Sequence, residues 1–472
     1  MSASPFRPAS RARRRRRPPT RVIARCALVP IALAVAALMV ALPSRAAAQR
    51  TAAGRDDGAA PAVAPQPDPL TLAGVYGLVA QRNPRVRAAA ALARAADARV
   101  PGASRPPDPE LQLGFMNYAL PDLRPDPTLG MTQLQLMQMV PLPGKLSAAG
   151  GAARARAEAA RARAEDAAWE VRAAAAMAFY ERYELEARVV VARETRRLLE
   201  DVSAVASAMY RVGDGRQADV LRARVELARM DEEVERMVAM SDGAAARLAA
   251  VADVPVDALA GVPVLPAFPD SVPSRETLER LALERRPMLA AGAADVRAAS
   301  ADAALARREL WPDVQVGVQY GQRRMEMGTD RMGSLMLVAS VPVFARSRQL
   351  RMRDEAAAMR DMAEAELATM RAETLGRLGE AYAALLGARR LAALYRTTVL
   401  PQAHAASVSA LASYRSGGVD FMTVVDDRMS VNRYRQELLA LEAAEGRAWA
   451  ELEMLVGRAL VAGTARDTEG GR

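Results

Sequence analysis

The chain contains itself twice, about 200 residues apart. Asn83-Pro84 opens a series of landmarks that Arg286-Pro287 opens again. Pro84 to Pro287 is 203 residues, as is Pro109 in DPELQLGF to Pro312 in WPDVQVGVQY. Val140-Pro141 returns as Val341-Pro342 after 201 residues, and Tyr210-Arg211-Val212-Gly213 returns as Tyr414-Arg415-Ser416-Gly417 after 204. A period this long excludes a solenoid of 20–50-residue units. Each copy is therefore a large supersecondary unit, and the 472 residues are read as one domain built from two halves rather than three ordinary domains.

The formal charge of +10 belongs to the leader. Ten arginines (7, 11, 13–17, 21, 25 and 45) and no acidic residue lie in residues 1–48, so the rest of the chain is close to neutral. Nucleic-acid binding is not expected. A basic stretch through Arg25, an apolar run from Ala27 to Leu42 and the small residues up to Ala48 read as a secretory signal cleaved between Ala48 and Gln49. The run is too short for an ordinary transmembrane helix. Cys26, the only cysteine, precedes that run and so is not placed for lipidation. The mature chain has neither disulfides nor thiolate metal sites.

The expected organisation is a signal peptide at 1–48, a linker rich in Ala, Pro, Gly and Asp at 49–68, a first repeat at 69–262, a second at 263–462, and a tail at 463–472. Each repeat reads as helix, two strands, very long helix, tight turn, helix. In the first, a helical stretch from Leu70 to Val100, restarted at Pro84, is ended by Pro101-Gly102. Glu110 to Tyr118 and Met131 to Val140 alternate with period two, predicting a hairpin. Asp313 to Tyr320 and Ser334 to Val343 repeat it. Ser147 to about Ala208 and Arg346 to Ser413 read as helical rods, the second containing Gly376, Gly379, Gly387 and a mid-helix Pro401. Each stops at a Tyr-Arg-x-Gly turn, after which helices run back over Ala218 to about Ala250 and Phe421 to about Val456. The fold class is mainly α with a small β part.

Strands of about ten residues match a tilted membrane crossing. Four cannot close a barrel, because every backbone polar group in a bilayer needs a partner. Two copies give eight strands and a filled interior; three give twelve and a lumen. The Gln/Ser/Gly face of the strands is expected to line that lumen, and the Leu/Val/Tyr face to meet lipid. The alternative from another class is an exported coiled-coil scaffold without a pore.

These residues resemble the TolC-like outer-membrane efflux channel family over roughly residues 69–460. The resemblance is carried by the duplication, Asn83-Pro84, Trp311-Pro312-Asp313, the two Val-Pro strand ends and the paired turns at Tyr210 and Tyr414. It implies a non-enzymatic homotrimer with a twelve-stranded barrel in outer-membrane lipid and a long periplasmic helical tunnel. Such a duct docks to a periplasmic adaptor and an inner-membrane pump of the RND or ABC type. The turns Tyr210, Arg211, Gly213 and Tyr414, Arg415, Gly417 then become adaptor-contact tips. The family's acidic aperture maps onto Asp219 and Asp426; another family aspartate falls on Thr423, and Asp427 is a neighbour. Plain first-turn carboxylates are the alternative for these aspartates.

Val140-Pro141-Leu142-Pro143-Gly144-Lys145 looks like the strand end of the heavy-metal efflux branch, and Lys145 is the only lysine. Drug efflux and type I secretion are the alternatives within the family. Met131, Met137, Met139, Met325, Met327, Met332 and Met336 offer thioethers that suit Cu(I), although methionine is more often an apolar filler. His404 reads as a surface or tunnel-wall residue. No metal-ligand spacing, phosphate loop or nucleophile set is present, so no cofactor, metal site or catalytic residue is expected.

Overall fold

The computed structural model describes residues 69–461 apart from 120, 123, 128, 326 and 327. The leader, the Ala48/Gln49 junction, the linker and the tail lie outside the described residues. In chain order the elements are β1 (Leu70–Thr71), α1 (Leu72–Arg82), α2 (Pro84–Ala103), β2 (Glu110–Met116), β3 (Tyr118–Ala119), β4 (Arg124–Pro125), β5 (Met131–Val140), α3 (Lys145–Val212) and α4 (Gln217–Ala252). Then come a 3-10 turn (Val256–Leu259), β6 (Pro263–Val264), α5 (Arg275–Arg285), α6 (Pro287–Arg308), β7 (Val314–Met325) and β8 (Gly328–Ala339). Last among the described residues come α7 (Gln349–Leu394), a π turn (Tyr395–Val399), α8 (Leu400–Arg415) and α9 (Phe421–Val456).

Proline placement sets the joints. Pro84 and Pro287 each occupy the first turn of a helix, where a missing N–H costs nothing. Asn83 caps α2 by accepting the Arg85 N–H at 2.9 Å, and its amide donates to the Val251 carbonyl at 2.8 Å. The start of α2 is thereby tied to the end of α4. In the second copy Asp166 takes over, accepting the Met288 N–H at 3.2 Å.

Six sequence-based boundaries are corrected. α2 runs through Pro101-Gly102 and stops only at Ala103. β2 ends at Met116, because Asn117 adopts a positive φ of 55°; Tyr118 belongs instead to a small hairpin with Arg124–Pro125. In the second copy both strands extend toward the hairpin tip, to Met325 and from Gly328. β8 ends at Ala339 rather than Val343, because turns closed by Val343 N–H to Val341 and Ala345 N–H to Pro342 replace the ladder. The second rod starts at Gln349 and stays continuous, but carries a π turn ahead of Pro401. Pro401 cannot donate to Thr397, and the extra residue lets the Leu400 N–H bond to Tyr395 instead.

At 68 residues, α3 is about 100 Å long. Its alanines allow close helix packing, and a chain of small cores follows its length. Phe179, Tyr180, Val75, Leu248 and Ala252 form one, and Trp449, Leu378, Leu385, Leu452 and Leu455 another. Met230, Leu199 and Ala192 continue the series toward the far end. Gly446 of α9 lies directly over the Tyr180 ring, so the two helices meet at a glycine. β6 returns from the interrepeat joint to pair in parallel with β1.

The four long strands form one antiparallel sheet in the order β2-β5-β7-β8. Leu111 faces Leu136, Val140 faces Val314, and Val314 faces Ala339. β2 and β8 are open edges. No helix of the described residues is long and apolar enough to cross a membrane.

Candidate functional site

The end of the molecule distal to the sheet is built from two helical hairpins, α3–α4 and α8–α9. Each turns at a glycine with positive φ, Gly213 at 87° and Gly417 at 75°, a conformation that costs glycine nothing. The N–H of Gly213 closes on the Tyr210 carbonyl and that of Gly417 on the Tyr414 carbonyl, so the repeated motif makes the same turn twice. Val202, Ala206, Ala223, Ala410, Tyr414, Phe421, Val424 and Val425 pack the hairpins into one four-helix tip.

The two copies then diverge. Tyr414 is buried, edge-on to Phe421 with ring centroids 5.7 Å apart, and its hydroxyl has no hydrogen-bond partner among the described residues. Burial first, then the carboxylates of Asp219 and Asp420, push its phenol above the ordinary range. Tyr210, its counterpart, is exposed and lines an open recess with Ser207, Arg211, Gln217, Leu221 and Arg224. Arg211 and Arg415 are both exposed at the turns.

The aperture candidates divide in the same way. Asp219 is only 6% exposed, held in the first turn of α4 between the hairpins. Thr423 and Asp426 are exposed and Asp427 is half-buried. None of the three aspartates makes an ion pair among the described residues. Asp420, not anticipated from the sequence, caps α9 by accepting the Met422 N–H. Its place just before a helix after Gly-Gly-Val was the signal for it.

At the other end, the sheet sorts its residues by parity. One face carries Gln112 and Met116 of β2, Met131, Gln133, Gln135, Met137 and Met139 of β5, Gln315, Gln319 and Met325 of β7, and Met332, Ser334 and Met336 of β8. The other carries Leu111, Leu113, Phe115, Leu134, Leu136, Val316, Val318, Tyr320, Leu335 and Leu337, with Thr132, Gln138, Gln322 and Arg331 among them. In β5 and β7 the glutamine face is half-buried or buried apart from the exposed Met325, while the apolar residues opposite are mostly exposed. Gln133 lies between Gly114 and Gly321, where a Cβ would collide with its side chain at Gly114, and accepts a hydrogen bond from Gln319. No methionine of the described strands lies on the leucine face. Met327 falls outside the described residues.

Between sheet and rods, Lys145 is buried and donates to Asp313 Oδ1 at 2.7 Å and to the Trp311 carbonyl at 3.0 Å. It joins the first repeat to the second. His404 is exposed, and no cluster of His, Cys, Asp or Glu able to hold a metal occurs among the described residues.

The model of the family described as "outer membrane efflux protein" matches residues 75–252 and 278–458, one segment in each repeat. Comparison with curated proteins gives no match. Among solved structures, the outer-membrane channel OprN superposes with a TM-score of 0.71 at 20% identity, covering 82% of this chain and 89% of that one. The outer membrane protein VceC from Vibrio cholerae gives 0.71 at 18% identity, covering 82% and 96%. CusC, a structure concerned with transmembrane channel formation, gives 0.70 at 15% identity, covering 82% and 92%. These likenesses establish the fold, and the family match spans both halves of the duplicated chain. The chain belongs to the outer membrane efflux protein family: an outer-membrane channel with a helical periplasmic extension.

Proposed function

We propose that three copies of this chain form a passive exit duct in the outer membrane, fed by a periplasmic adaptor and an inner-membrane pump. The observation that carries this reading is the open-edged sheet. It has one apolar face fit for lipid and one polar face, and its free backbone edges need further strands. Three such sheets give twelve strands, enough for a lumen. The rods prolong that lumen across the periplasm, and the pump supplies the energy. The chain itself performs no covalent chemistry.

In this reading the tip is both docking site and aperture. The turns at Tyr210, Arg211, Gly213 and at Tyr414, Arg415, Gly417 meet the adaptor, and the recess beside Tyr210 with Arg211 and Arg224 offers a basic surface for it. Asp426, exposed and unpaired, with Thr423 and Asp427 nearby, faces the aperture and favours cations there. Asp219 acts from the interface between the hairpins, under Tyr414.

For the cargo, one observation favours soft metal cations over drugs or secreted proteins. The strand methionines share the polar face with the glutamines. Met131 and Met137 set their sulfurs over Gly321 and Gly317 on that face. Thioethers on a wet face are ligands for Cu(I).

Fractionation of cell membranes tests the duct. The protein should sediment with the outer membrane, run as a heat-modifiable trimer, and open a conducting pore in planar bilayers; a soluble monomer overturns the reading. For the cargo, replacing Met131, Met137, Met332 and Met336 together by leucine should lower copper tolerance without altering the oligomer. Unchanged tolerance removes the metal reading and leaves the duct.

A further inference from the structure

The duplication relates the halves of the sheet by one fixed step. Leu111 faces Leu136 in the first hairpin and Val314 faces Ala339 in the second, so each residue of the second ladder lies 203 positions beyond its counterpart. Within the chain the junction between halves is β5 against β7, and just below it Lys145 crosses to Asp313. The outer edges, β2 and β8, have no neighbour among the described residues. Applying the internal junction to those edges sets β8 of one copy beside β2 of the next.

The same operation moves the ion pair. A step of 203 back from Asp313 is Glu110. A step of 203 on from Lys145 is Arg348, and the 201 step of the Val-Pro landmark gives Arg346. Either register places an arginine against a carboxylate, with both charge signs conserved. Glu110, Arg346 and Arg348 are exposed, and none makes an ion pair or side-chain hydrogen bond among the described residues.

The two elbows differ as this operation demands. The first, at 141–146, is packed within the chain, with Lys145 buried and Gly144 against the Arg308 guanidinium. The second, at 341–348, is bare, with Val343 79% and Phe344 75% exposed. The helices above repeat the contrast. α6, held between α3 and α7, buries eight residues, whereas α2 buries Ala93 alone and leaves Leu92 exposed. What covers the first elbow is the second repeat of its own chain. What is missing from the second elbow is a first repeat.

We propose that Glu110 of one copy is bound by the Arg346–Arg348 elbow of the next, closing the intersubunit seam as Lys145 and Asp313 close the intrachain one. The proposal rests on the duct reading, with its occupant a second copy of this chain. Cys26 lies in the leader, so the mature protein provides a cysteine-free background. Glu110→Cys would be combined with Arg346→Cys, and separately with Arg348→Cys, in the full protein in outer membranes, then oxidised and run without reductant. At least one pair should give reductant-sensitive dimers and trimers, and the single variants none. Independently, Glu110→Arg should lower the temperature at which the oligomer dissociates on heating, and Arg346→Glu with Arg348→Glu should restore it. A full-size oligomer with no crosslink from either pair and no charge rescue overturns the seam contact while leaving the duct. A wild-type chain that is monomeric throughout overturns the duct reading and the contact with it.

Discussion

Lys145 Nζ lies 2.7 Å from Asp313 Oδ1, although 168 residues separate them in the chain. Lys145 starts the rod of the first repeat, and Asp313 precedes the first strand of the second. Together with its bond to the Trp311 carbonyl, this contact ties the start of the first rod to the second repeat.

Removing that lysine should be costly. Lys145→Met leaves Asp313 and the Trp311 carbonyl without their donor, and loss of a charged, largely buried bond costs about 2–4 kcal/mol. Lys145→Arg should recover part of this. Thermal unfolding of the purified protein followed by circular dichroism checks both.

Two glycines of the helical part should respond in opposite directions. At Gly446 an added Cβ meets the buried Tyr180 ring, so Gly446→Ala should force α9 from α3 at a cost of about 3 kcal/mol. Gly387 lies within α7 with nothing near its Cβ position. Gly387→Ala should stabilise by up to about 1 kcal/mol. The same unfolding assay reads both.

Asp166 gives the rods a pH dependence. Burial raises its pKa, opposed by Arg286 and by the Met288 N–H it accepts, and reinforced by Glu170. The folded state therefore holds this proton more tightly than the unfolded chain. Its contribution to stability is present below the ordinary carboxylate range and is lost as pH rises through the raised pKa. Asp166→Asn keeps an acceptor for Met288 and should flatten the decline in midpoint temperature as pH rises above the ordinary carboxylate range. A slope identical to wild type would assign it to other groups.

Asp426 should separate conduction from stability. It is exposed and unpaired, so Asp426→Asn should change the unfolding free energy by less than about 0.5 kcal/mol. The cation-to-anion permeability ratio in planar bilayers should fall. Unchanged selectivity would remove Asp426 from the aperture.

Much of this architecture was legible in the sequence. α9 spans Phe421 to Val456 as its periodicity predicts, and α4 differs from expectation by two residues or fewer at either end. Both Tyr-Arg-x-Gly turns fall where the motif places them. Helix periodicity, first-turn prolines and glycine-capped turns act between residues a few positions apart, so the local sequence contains the whole cause. The parity of the strand methionines was legible too, since Met131, Met137 and Met139 alternate in step with Gln133 and Gln135.

The differences between equivalent residues were not legible. Tyr210 and Tyr414 sit in the same turn, yet one is exposed and the other buried against Phe421 and the neighbouring hairpin. Asp219 and Asp426 are both early helical carboxylates, yet only the first is buried, beside the core that the two hairpins share. Lys145 looked like a marker of lineage, but adjacency of β5 and β7 makes it the tie between halves. By itself the sequence determined what repeats, because repetition and local periodicity are properties of one strand of text. The tertiary structure alone decided which copy of each repeated residue is covered, because burial depends on contacts between segments more than a hundred residues apart.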